Sequence, residues 1–414
     1  MSKKIGLFCL AFTTVSLLSS CTPDSNNQTA PQLLPQGGKE TLPISDDTHP
    51  KTLSEIQLQP ILDIGKRAVT WLNLVNQNRN IQSRLNLADR TTKNPVPPEK
   101  PKVNSVKLLL QKLDERLKIM PDAMKPYLVG QGTLVEIPPV NDDAFIKSIR
   151  EMNGLYQSAI RLLGQIEWFD YYAEQDVRDI RGYYFFTKEP AAVTELETFS
   201  ALTDDKKIKY SEWLVGICHN SKISKADCKS ELDLAIAQNQ ASGFYNKYVD
   251  QAKIVYDNFF KVKKMRTDLI WSTDGLTLTQ DFILPTLTKI TTWLQTNVEE
   301  EWKATGFQLL IKFVPQNSVS PFLVFEKGIT PHVSGATWNS ITMDPDYSLE
   351  DYDTQWTIRH EFGHVLGFPD CYLEFYDQDK AEMIYYTIEP DNLMCAWGGK
   401  LQPSHVDELK RVYQ

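Results

Sequence analysis

Apolar residues recur every three or four positions through most of the first two thirds of the chain. SEIQLQPILDIGKRAVTWLNLVNQ, SVKLLLQKLDERLKIM, DDAFIKSIREMNGLYQSAIRLLGQI and SGFYNKYVDQAKIVYDNFFKV each carry an apolar stripe at that spacing. Such stripes predict amphipathic helices, here between about residues 55 and 264. TKNPVPPEKPK, Thr92 to Lys102, interrupts the run after the first helix, because proline removes a backbone donor and disfavours helix in the residue before it. Residues 55–264 show no internal repeat and no catalytic motif, so they read as a helical domain of unassigned role. After about Met265 the pattern shortens. RTDLIWST, FQLLIKFVP, PFLVFEKG, HVSGATW and NSITMDP predict strands. QDFILPTLTKITTWLQTNVEEEWKA predicts one long helix, with Pro285 in its first turns or at a kink. Glu299 to Glu301 reads as a solvated face of that helix. Another helix is predicted to begin near Asp353 as its N-cap, and SHVDELKRVY predicts the last one. The expected class is α+β, a mostly helical domain followed by a mixed domain over residues 265–414.

The first twenty residues follow a different rule. MSKK is a positive start and IGLFCLAFTTVSLL an apolar stretch of signal-peptide length, too short to span a bilayer comfortably. LSSC, Leu18 to Cys21, resembles a bacterial lipobox, which implies cleavage before Cys21 and lipid on its thiol; the alternative is a plain secretory signal with a chance cysteine. By the same resemblance, Thr22 rather than aspartate after the cysteine points to the outer membrane in a Gram-negative cell. Residues 21–54 are rich in Pro, Gln, Asn, Ser, Thr and Asp, a flexible tether that reaches about 100 Å when fully stretched. No later stretch reads as a membrane span. The expected location is therefore the cell envelope or surface, with a soluble body anchored by lipid.

Charge and cysteines narrow the classes further. A net charge of −9 with no basic stripe gives nucleic-acid binding no support. Beyond Cys9 and Cys21, four cysteines remain, Cys218, Cys228, Cys371 and Cys395. In an exported chain they are expected to pair, the sequence-local pairing being Cys218–Cys228 and Cys371–Cys395, with free thiols or crossed pairs as alternatives. A zinc-capping switch at Cys218 does not fit its GICHNSK neighbourhood.

The chemistry gathers in IRHEFGHVLGFPDCYLEFYD, Ile358 to Asp377. Residues four apart share one helix face, so His360 and His364 can grip one metal ion. Glu361, one position on, is placed to reach a water at the metal rather than the metal itself. The helix must then stop so that a third ligand can return over the ion. Gly367 suits the left-handed residue at a helix end, Pro369 keeps the helix from resuming, and Asp370 falls where the chain has turned. A bare HExxH arises by chance in about one chain in a hundred of this length, and the added glycine and aspartate cut that risk by orders of magnitude.

HEFGHVLGFPD resembles the metzincin signature HExxHxxGxxH with aspartate in the last place, and the snapalysin branch, where aspartate also ends the motif and a tyrosine follows two residues later, as Tyr372 does here. The resemblance covers about Arg266 to Gln414 and implies a metzincin-like zinc peptidase domain: a twisted mixed sheet, a long active-site helix, a methionine turn and a C-terminal helix. It implies Zn2+ on His360, His364 and Asp370, with Glu361 as general base and peptide or protein as substrate. Met394, in EPDNLMCAW, stands for the methionine beneath the metal. The stretch from Asp370 to Met394 is long and aromatic for this branch, and Ala396 stands where some metzincins carry a tyrosine that binds the transition state. Tyr372 is the candidate to supply that aid. An aspartate ligand is anionic and should leave the zinc a weaker Lewis acid than a third imidazole would. His405 is expected to be an ordinary exposed histidine, with a smaller claim as ligand or ligand support. His332 and Trp338 flank VSGAT, an edge strand that either buries them or receives a substrate. A Cys371–Cys395 bridge would tie the neighbour of the third ligand to the neighbour of Met394. The rival reading is a non-catalytic envelope binding or scaffolding lipoprotein with a structural or relic zinc site; a purely structural site, however, needs no Glu361.

Overall fold

Thr52 opens the first helix, accepting a hydrogen bond from Glu55 N–H while the Glu55 carboxylate accepts from the Thr52 backbone, a reciprocal cap that fixes the helix start. The structure is a computed structural model that describes residues 52–80, 82–87, 98, 100–133, 141–335 and 337–414. The signal segment, Cys21, nearly all of the tether and most of Thr92 to Lys102 lie outside the described residues.

Helix α1 (Leu53–Asn76) is followed by a short strand β1 (Lys102–Asn104), then α2 (Val106–Ile119), α3 (Lys125–Leu128) and the long α4 (Asp142–Ile166). The apolar stripes of α1, α2 and α4 face one another, as their spacing predicts, around Leu58, Trp71, Leu109, Phe145 and Ile149. Trp71 packs edge-on against Tyr127 and Phe145, with ring centroids 4.9 and 5.2 Å apart. A second helical group follows: α5 (Phe169–Ala173), a 3-10 turn at Gln175–Arg178, α6 (Arg181–Lys188), α7 (Ala191–Glu195), α8 (Asp204–His219), α9 (Lys225–Ala237) and α10 (Ala241–Phe260). It closes around Phe186, Trp213, Leu214 and Phe244. The Cys218–Cys228 disulfide joins α8 to α9 with Cα atoms 5.8 Å apart, the sequence-local pairing expected.

Beyond α10 come β2 (Leu269–Trp271), β3 (Thr277–Ile283), α11 (Thr288–Leu294), β4 (Lys303–Ala304), β5 (Phe307–Val314), β6 (Phe322–Phe325), β7 (His332–Ser334), β8 (Ser340–Met343), α12 (Tyr352–Val365), β9 (Tyr372–Asp377), β10 (Glu382–Thr387) and α13 (Pro403–Tyr413). The fold is mixed α+β, largely helical, and among the described residues the strands form three small sheets instead of the one twisted sheet expected. Their orders are β2-β3-β5-β4, with β3 and β5 parallel, β6-β8-β7, with β6 and β8 parallel, and the antiparallel β1-β10-β9.

Two of the element readings change in this structure. The long helix read from Gln280 begins only at Thr288. Its first residues belong to β3, where Leu278, Gln280 and Phe282 alternate inward and pair with β5, and Pro285 sits in the connection, where no backbone donor is needed. The acidic run is not a solvated face. Glu299 accepts from Ile311 N–H at 2.8 Å; Glu301 takes Lys400 Nζ at 3.0 Å, Arg359 Nη1 at 3.6 Å and Leu401 N–H at 2.9 Å, and only Glu300 is exposed. The aromatic stretch after Asp370 is a β-hairpin, β9 with β10, and β1 from the helical half extends it by pairing Val103 with Ile384. Met383 of that hairpin is fully buried in the core of α1, α2 and α4, so the two halves share a sheet as well as a core.

Candidate metal centre

Helix α12 carries the motif. Asp351, not Asp353, is the residue before its first turn; Asp353 lies inside that turn and accepts a hydrogen bond from the Trp397 indole N–H. The side chains of His360, Glu361 and His364 are all buried. Each histidine is oriented from behind: Nδ1–H of His360 donates to the Leu393 carbonyl at 2.8 Å, and Nδ1–H of His364 donates to the Phe368 carbonyl at 2.8 Å. With Nδ1–H committed to a carbonyl, Nε2 is in each ring the atom that can bind a metal once it has lost its proton. Both point to one carboxylate oxygen, Asp370 Oδ1, at 3.1 and 3.3 Å. The three ligand atoms lie within 4.8 Å of one another, and no other such group occurs among the described residues.

Electrostatics reinforce the geometry. Burial disfavours charge on His364, but the Asp370 carboxylate overrides it and pushes the imidazole up to about 9. Burial likewise opposes the Asp370 charge, yet His364 and His360 hold that carboxyl well below its usual range. Two imidazole nitrogens and an ionised carboxylate, convergent and preoriented, are a donor set that fits a divalent metal of the zinc type. The Glu361 carboxylate also favours the charge on His364. Glu361 is 5% exposed, and its Oε2 has no hydrogen-bond partner, an expensive arrangement for a group with no task.

The turn after α12 is built as the spacing predicts. Gly367 adopts φ +96°, and a β-carbon there would lie 2.2 Å from the Lys264 carbonyl oxygen. Lys263 N–H donates to the Gly367 carbonyl at 2.7 Å, so the segment leaving α10 runs directly over the glycine. Met394 is buried against Gly363, between the two histidines, in a turn whose Asn392 side chain accepts from Met394 N–H at 2.9 Å. The Cys371–Cys395 disulfide, Cα atoms 4.4 Å apart, closes beside it, and Cys371 N–H donates to the Met394 carbonyl at 3.1 Å. Cys371 is thus joined covalently to Cys395 and by hydrogen bond to Met394.

Other candidates are placed differently. Tyr372 begins β9, half-buried, with the Arg161 guanidinium 5.1 Å from its ring centroid; it is not among the convergent donors. His405 is buried instead of exposed. It packs against Phe368 and Trp302, accepts from Gln402 N–H at 3.0 Å, and burial, with His360 nearby, pushes its pKa down to about 4. The apolar wall that α13 meets explains this, and His405 lies outside the donor triad. β7 is an edge strand with Val333 buried, His332 half-exposed and Trp338 edge-on to His364 at 6.2 Å. Beside Asp370 an open cleft is lined by Tyr171, Tyr172 and Arg178 from the helical half and by Pro369 and Tyr372. Nothing in the helical sequence signals that role, since those residues carry no motif. Leu393 and Phe368 act through backbone carbonyls, which no residue type announces.

No known protein family matches the chain, and no curated protein or solved structure matches it. The likeness to metzincins therefore rests on the motif. Both disulfides are formed, as suits an oxidising, extracytoplasmic setting, and no helix of the described residues is long and apolar enough to cross a membrane.

Proposed function

We propose that this chain is a zinc-dependent endopeptidase of the metzincin kind, anchored at a bacterial cell envelope through lipid on Cys21. The observation that carries the reading is Glu361: a buried carboxylate with an unpartnered Oε2, on the same helix as two histidines whose Nε2 atoms converge with Asp370. A site that only held structure together would have no use for it.

In this reading His360, His364 and Asp370 hold the zinc, and the Leu393 and Phe368 carbonyls keep the two imidazoles aimed. Zinc, when bound, supplies Lewis acidity that polarises a peptide carbonyl and lowers the pKa of water toward about 7. Glu361 removes a proton as the water oxygen bonds to the carbonyl carbon, and delivers it to the amide nitrogen as the C–N bond breaks. Met394 is the floor of the site, in the place of the family's methionine turn. Ala396 offers no hydroxyl, so Tyr372, two residues past Asp370, is the candidate to steady the developing charge. The edge of β7 is free to receive an extended peptide as an added strand.

Removing divalent metal with a chelator should abolish cleavage of an unstructured protein, and added zinc should restore it. Cleavage that survives chelation contradicts the proposal.

A further inference from the structure

The cleft beside Asp370 contains three charged side chains, Asp370, Glu374 and Arg178. Two are already matched. Asp370 faces both histidines, and Glu374 takes the Arg161 guanidinium and Gln165 Nε2. Arg178 is different. Its guanidinium lies 4.8 Å from the Phe259 ring centroid and donates to Gln175 Oε1 at 3.2 Å, and among the described residues no carboxylate pairs with it. A second cation stands close: Lys263 feels burial first and Arg178 second, both lowering its pKa, and its ammonium donates to the neutral Asn258 Oδ1 at 2.8 Å. A planar cation held on an aromatic face presents its remaining N–H groups as a fork that matches a carboxylate. Tyr171, Tyr172 and Tyr372 form the walls, and their rings displace part of the water around a salt bridge, which strengthens it.

We propose that this cleft is a substrate subsite, supplied by the helical half, which takes an acidic side chain through Arg178. The inference rests on the peptidase reading for the identity of the ligand. It gives the helices before residue 264 a task, since the 3-10 turn at Gln175–Arg178 brings the selecting residue to the third ligand.

The test uses the full-length, zinc-loaded chain carrying Glu361→Gln, so that binding is read without turnover. Calorimetry compares otherwise uncharged octapeptides in which glutamate, glutamine or lysine is walked through every position. At one position glutamate should bind about tenfold tighter than glutamine. The advantage should vanish with Arg178→Gln and pass to lysine with Arg178→Glu, while Arg178→Lys keeps part of it. Melting curves check that each variant is folded. Equal affinity at every position, no binding by any peptide, or a glutamate advantage that persists in Arg178→Gln overturns the subsite. The peptidase reading is judged separately, with Glu361 intact. Cleavage indifferent to glutamate removes the subsite alone, whereas Arg178-dependent binding without any cleavage removes the peptidase alone.

Discussion

Gly363 sits between the two histidines of α12, where a β-carbon would fall 2.3 Å from Met394 Sδ and 3.1 Å from Trp302 Cζ2. Met394 is buried and Trp302 wholly so, which leaves the thioether little room to retreat. Gly363→Ala should therefore destabilise the fold by about 1–3 kcal/mol through overpacking. Gly367→Ala should cost more, because strain at φ +96° of about 1–3 kcal/mol adds to a collision with the Lys264 carbonyl. Denaturant unfolding of both variants checks the order, and a milder effect at Gly367 would contradict the close approach of the segment leaving α10. The two glycines also differ in how they could be read. Gly367 announces itself at a helix end two residues before a proline. The need for Gly363 arises from a methionine some thirty residues later, and local pattern cannot show it. His405 was misread for the same reason: the aromatic wall it meets, Phe368 and Trp302, comes from distant segments.

Among the elements, the 3-10 turn that lines the cleft is pinned to α8. His219 Nε2 lies 3.0 Å from Asp176 Oδ1, and Lys225 Nζ lies 2.8 Å from Oδ2 of the same carboxylate. Burial opposes charge on His219, but the bond to Asp176 prevails and raises its pKa; burial opposes charge on Asp176 too, yet His219 and Lys225 bring it down to about 2. The raised histidine contributes stability that is complete below its unfolded value of about 6.5 and is lost as pH rises through its folded value. The depressed aspartate contributes above its unfolded value of about 3.9, and its share fades only as pH falls toward 2. The melting-temperature gap between wild type and Asp176→Asn should thus be wider at pH 6 than at pH 9, where the Lys225 contact alone persists. A gap that widens toward pH 9 would contradict the pairing. The second disulfide acts on the site itself: replacing both Cys371 and Cys395 by serine should destabilise by about 2–4 kcal/mol and weaken zinc binding measured by competition with a chromophoric chelator. Unchanged affinity would remove any role for the bridge in the site. Of these elements, α1, α2, α4 and α10 were legible because each carries a full apolar period, and the motif helix because two histidines four residues apart share one helix face. The strand hidden in QDFILP was not, since Leu278, Gln280 and Phe282 turn inward only because β5 lies beside them. The hairpin after Asp370 alternates less cleanly, with aromatic residues on both faces, and one of them stacks on Phe169 of α5.

At the scale of the whole molecule, the break in sequence pattern near residue 264 is crossed by structure: β1 completes the β9–β10 sheet, and Tyr385 donates to Gln165 of α4 at 2.7 Å. Metal at His360, His364 and Asp370 should be felt throughout such a body. At a thousandfold excess over its dissociation constant, zinc should stabilise the fold by about 4 kcal/mol. The zinc-dependent increment should disappear in Asp370→Ala, and an undiminished increment there would place the binding site elsewhere. The proposed function, however, turns on Glu361. The most direct measurement is cleavage of an unstructured protein by the zinc-loaded wild type beside Glu361→Ala, with zinc content determined in both. The expected result is one zinc per chain in each and a loss of cleavage in the variant of about 10²–10⁴-fold. Undiminished cleavage by the variant, or a wild type that holds its zinc and cuts nothing, would contradict a metal-assisted peptidase.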